Sequence, residues 1–136
     1  MNSSNPQIVQ NCQVHTAYTL LKYTYGIVAL IVGLDKFFGF VTHWPKYVSP
    51  YIAQYLPAGF TMQYLLGSVG IIEIVVGLLV LNKKYTQIGA YILAAWLGII
   101  ALNLLTIGGY FDIAVRDLVL AVGAIALALL SKVCCK

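Results

Sequence analysis

Residues 64–81 read YLLGSVGIIEIVVGLLVL, eighteen residues with one ionisable side chain, Glu73. As a helix this run is about 27 Å long, close to the thickness of the hydrocarbon core of a bilayer. Glu73 lies about 14 Å along it, near the midplane, where a charge exposed to lipid is costly. Gly70 and Gly77 share its helical face, so the carboxyl is expected to point at a closely packed neighbouring helix rather than at lipid. Two roles stay open for it: a proton or ligand site, or an interhelical hydrogen bond that fixes packing.

Three further apolar runs flank this one, at about 18–40, 88–107 and 113–130. The connections at 82–87 and 108–112 are short, which makes successive helices antiparallel. The predicted fold class is therefore all-α: a transmembrane four-helix bundle with a short interfacial helix in its first loop. Its organisation is a polar tail at 1–16, a transmembrane domain at 17–132 and a short end at 133–136.

Composition points the same way, because only 9% of the 136 residues are charged while 61% are hydrophobic. A soluble domain carries about 25% charged residues, so an ordinary soluble fold, a disordered chain and a disulfide scaffold are all excluded. The net charge of +4 does not indicate nucleic acid, since the basic residues are scattered at the ends of the apolar runs. Cys12, Cys134 and Cys135 have no metal or disulfide spacing. His15 and His43 flank the first run and stand about 40 Å apart as helix, too far to share a metal. No nucleotide, zinc-protease or Ser/His/Asp constellation is present, so the chain reads as non-catalytic on its own. No cofactor is expected, with bound lipid or quinone the groups the bundle could hold.

The tail (MNSSNPQIVQNCQVHT) is uncharged and lacks the basic start and short apolar stretch of a signal peptide. The loop at 41–61 holds three prolines and many aromatics, with Ser49 as N-cap and Pro50 at the first helical position. Tyr51, Ile52, Tyr55 and Leu56 then share one face, as in a helix lying in the membrane interface. Placing both termini in the cytoplasm puts Lys22, Lys83, Lys84, Lys132 and Lys136 inside and Lys36, Lys46 and Arg116 outside, in the sense of the positive-inside rule.

With that topology Lys36, Asn103, Asp112, Arg116 and Asp117 gather in the outer half, above Glu73 and under the aromatic loop with His43, Trp44 and Tyr47. Lys36 shares a stripe with Lys22, Gly26, Ala29 and Gly33, and Asp117 shares one with Ala121, Ala124 and Ala128. Arg116 stands about 9 Å above Glu73 along the membrane normal, so Asn103 is expected to bridge them. The simplest ion pairs are Arg116 with Asp35 or Asp112, and Lys36 with Asp117. Asp112 is also a candidate cap for the last helix. Ala90, Ala94 and Gly98 form a small-residue stripe suited to close helix approach, within the bundle or between protomers.

Taken in order, the segments GLDKFFGF (33–40), GSVGIIEIVVGLLV (67–80), GAYILAAWLGIIALNLL (89–105) and GGYFDIAVRDLVLAVGAIALALL (108–130) resemble the DoxX-like family of small four-helix membrane proteins over about residues 18–131. The resemblance implies an inner-membrane protein of bacterial type, in a family named for a component of a terminal quinol oxidase system. Relatives are associated with thiosulfate:quinone oxidoreduction or with redox-defence assemblies. It supplies no catalytic residues. The expected role is an accessory or anchoring subunit of a respiratory or redox assembly, partnered by membrane lipids, other membrane subunits or a second copy. The alternatives are a small transporter or proton-conducting bundle using Glu73, and a quinone-binding component.

Overall fold

A computed structural model describes residues 6–134. Its helices are α1 (Pro6–Phe38), α2 (Pro50–Gln54), α3 (Met62–Leu81), α4 (Thr86–Ile107) and α5 (Phe111–Cys134), with a 3₁₀ turn at Trp44–Tyr47. The described residues contain no strand. The chain folds as an all-α bundle of four long helices, each long and apolar enough to cross a bilayer. Such helices satisfy every backbone polar group internally, as an apolar solvent requires, and they mark an integral membrane protein.

Local chemistry sets the helix ends. α1 is helical from the first described residue, Pro6. Gly39 closes it in the left-handed region at φ +65°, with its N–H bonded to the Asp35 carbonyl at 2.6 Å. Ser49 caps α2 as expected, its side chain accepting from the Tyr51 N–H, and Pro50 follows at the first helical position. Asp112 lies inside the first turn of α5 rather than before it, where its charge favours the helix dipole.

Around the bundle the order is α1, α3, α4, α5, with α5 closing back on α1. Glycine governs the α1–α3 contact. A Cβ on Gly70 would come within 2.7 Å of the Gly33 carbonyl oxygen, and one on Gly77 within 3.0 Å of the Gly26 oxygen. The two pairs are spaced seven residues apart on each helix and run in opposite order, so they fix an antiparallel register backbone to backbone. On the other side of α1, the Tyr25 hydroxyl donates to the Leu120 carbonyl at 2.8 Å in the space that Gly123 leaves.

Two departures from hydropathy matter. Hydropathy starts the first span at Tyr18, yet the chain is already helical twelve residues earlier, at Pro6. The hydroxyls of Thr16 and Thr19 bond back to the carbonyls of Cys12 and His15 at 2.9 Å, so this polar segment forms an exposed helical extension. Lys22, expected at the membrane edge, is 3% exposed and stands near the rings of Tyr18 and Tyr23. Cys135 and Lys136 lie outside the described residues.

Replacing Gly70 with alanine is expected to lower stability by about 1–3 kcal/mol, because backbone atoms must move apart. Gly98→Ala meets open space and should be nearly neutral. Thermal unfolding in detergent measures both.

Candidate site at the loop end of the bundle

Two apolar clusters divide the core. One, toward the chain termini, is built from Tyr18, Val76, Val80, Ala90, Leu93, Ala94, Ala124, Leu127 and Ala128. The other, at the loop end, centres on Ala101, Leu104 and Ala114 with Tyr47 and Tyr110 against it. Lys36, Glu73, Trp96 and Asp117 bring polar atoms into the bundle, one side chain from each long helix.

Helix direction brings the first two together. Side chains lean toward the N-terminus of their own helix. Lys36, near the end of α1, therefore leans down into the bundle, while Glu73 on the antiparallel α3 leans up. Their charged ends meet at 2.6 Å, Lys36 Nζ to Glu73 Oε2, with 5% and 7% of the side chains exposed. This pair replaces the expected Lys36–Asp117 bridge, and Glu73 has a direct cationic partner. Gly33, one turn before Lys36, and Gly70, one turn before Glu73, let the two helices close around the pair.

Trp44 covers it. The Lys36 ammonium stands 3.8 Å from the centre of the indole ring, a cation–π contact strengthened where water is scarce. Asp35 holds the ring there. One of its oxygens accepts from Trp44 Nε1 at 2.8 Å and the other from the Val41 N–H at 2.8 Å. Asp35 is thus the fastening of the turn after α1, and neither it nor Asp112 takes the expected ion pair with Arg116. His43 is exposed and caps the 3₁₀ turn without a side-chain bond.

Asn103 does not bridge Glu73 and Arg116. Its amide donates to the Tyr47 carbonyl at 2.7 Å and accepts from the Ser49 N–H at 3.1 Å, while Thr106 donates to the Ser49 hydroxyl at 3.0 Å. This is a second fastening of the loop, to α4. Arg116 reaches Asp117 through Nε at 3.6 Å, with its side chain 67% exposed against 11% for Asp117. Asp117 lies close enough to act electrostatically on Glu73 and to feel Lys36. The Trp96 indole N–H is buried beside Glu73 without a well-formed hydrogen bond.

Trp96, Ser49 and Thr106 are therefore parts of the site that their residue types alone did not single out as functional. The small stripe on α4 divides: Ala90 and Ala94 are buried in the core, whereas a Cβ on Gly98 would meet nothing.

A buried ion pair adds little over a well-packed apolar pair, but removing one member leaves an uncompensated charge. Lys36→Met and Glu73→Leu are each expected to destabilise by about 3–5 kcal/mol. The double variant should recover most of that loss in a double-mutant cycle read by thermal unfolding. Asn103→Leu should leave the helices intact and speed proteolysis between residues 47 and 56.

Compared with protein-family models, with curated proteins and with solved structures, the chain matches none, and its functional reading rests on the sealed Lys36–Glu73 site and the loop fastened above it.

Proposed function

We propose that the chain is an accessory or anchoring subunit held in a larger membrane assembly, and that this assembly is respiratory or redox, as the resemblance to DoxX-like proteins implies. One observation carries the reading. The Lys36–Glu73 pair is closed on itself under Trp44 and gives way, toward the chain termini, to a core of Val, Leu and Ala with Tyr18 among them. A rigid bundle of this kind suits a scaffold. The open notch at Gly98, between exposed Ile99, Leu102 and Tyr91, offers a face where a partner helix could approach closely. The excess of lysine at the end carrying both termini supports a cytoplasmic location for them, in an inner membrane of bacterial type.

A second reading, quinone bound beneath the loop, has one observation in its favour. Trp44, Tyr47 and Tyr110 gather at the mouth above Lys36, with ring centres 6.2 and 5.0 Å apart in succession. A transporter has no comparable support, because Asn103 is turned to the loop and Arg116 outward.

Purification in mild detergent from native membranes, followed by mass spectrometry, tests the proposal. The expected result is a constant ratio to the subunits of one membrane assembly. A homogeneous particle of this chain alone at every salt concentration contradicts it, and a quinone in the lipid extract of that particle supports the second reading instead.

A further inference from the structure

The outer rim of the loop end carries two cations that the buried site does not use. Arg116 is the only arginine in the chain. Its Nε edge faces Asp117, which orients the guanidinium, and its side chain is 67% exposed. Lys46, exposed in the 3₁₀ turn, stands 4.8 Å from the centre of the Tyr47 ring and forms no ion pair among the described residues. Geometry brings the two elements together at Tyr47, whose ring meets Tyr110 edge-on with centres 5.0 Å apart and packs on the same loop-end cluster as Ile113 in the first turn of α5. The Tyr47 phenol is held below its ordinary value by hydrogen-bonding contacts from Thr42 and Lys46, and by the charges of Lys46 and Arg116. Its oxygen therefore sits in a positive field drawn from two separate elements. The acids nearest in sequence are Asp117, engaged with the Nε edge, and the exposed Asp112 one turn before Arg116.

Beneath this rim the surface is apolar. Val115, Val119 and Val122 are 58%, 66% and 67% exposed at a spacing that aligns them down one face of α5. Arg116 lies in the second turn of α5, at the depth where a cation can meet headgroups while the following residues face acyl chains.

We propose that an anionic phospholipid binds here, its phosphate held between Arg116 and Lys46 beside the Tyr47 hydroxyl and its acyl chains lying along Val115, Val119 and Val122. The guanidinium presents paired N–H donors suited to phosphate oxygens, and two cations select a headgroup of net negative charge over a zwitterionic one. The site needs no partner subunit, so it stands or falls apart from the proposed accessory role.

Native mass spectrometry of the full chain, titrated with phosphatidylglycerol and with phosphatidylcholine of the same acyl chains, tests it. The expected result is retention of phosphatidylglycerol about tenfold more strongly, with the preference reduced in Lys46→Gln and in Arg116→Gln and kept in Lys46→Arg. Lys46 lies in an exposed loop, so its variants carry the test even if Arg116→Gln fails to fold. Equal retention of the two lipids, or an unchanged preference in Lys46→Gln, overturns the proposal. So does a thermal stabilisation by inorganic phosphate alone that equals that by phosphatidylglycerol, which would assign the rim to a free anion.

Discussion

An ammonium and a carboxylate 2.6 Å apart inside a bundle of apolar helices constrain nearly everything around them. In so dry a setting neither charge can be left without the other, so α1 and α3 are tied in rotation and in height. The glycine contacts at Gly33–Gly70 and Gly26–Gly77 permit the approach that the pair demands. Larger residues there would separate the backbones and stretch the ion pair. Packing and electrostatics thus specify the same antiparallel register, the agreement between levels that favours one folded state.

The pair also organises the loop. Trp44 lies on the Lys36 ammonium because Asp35, the residue next to Lys36, grips its indole N–H and the Val41 amide together. Adjacent residues on one helical turn thereby do separate tasks, Lys36 facing the core and Asp35 the loop. Asn103 and Thr106 secure the same loop from α4. The loop end is consequently closed on both sides of the bundle, with Arg116 and Lys46 left at its rim. That division, a sealed interior and a charged margin, underlies both the proposed anchoring role and the proposed lipid site.

Much of this was legible in the amino-acid order. Helix count and fold class follow from four apolar runs and short connections, and the inward face of Glu73 from Gly70 and Gly77. The stripe of Gly26, Ala29 and Gly33 beneath Lys36 likewise marked a packing face. Partner choice was not legible, because it depends on the relative height of antiparallel helices and on side-chain lean, which brings Lys36 down and Glu73 up. Depth alone paired Lys36 with Asp117 and gave Asn103 to Arg116. Asn103 instead meets backbone atoms of Tyr47 and Ser49, whose positions exist only once the loop has folded. The helical character of residues 6–17 escaped for a different reason: they are polar, and a hydropathy window registers membrane, not helix.

The Lys36–Glu73 pair holds the loop in place through Trp44. Hydrogen–deuterium exchange of the full chain in nanodiscs, comparing wild type with Lys36→Met, reads that coupling at the loop amides. Faster exchange is expected in the variant at the amides of residues 39–48 and at the end of α1, with α4 and the second half of α5 unchanged. Identical exchange across residues 39–48 in the two proteins would contradict it.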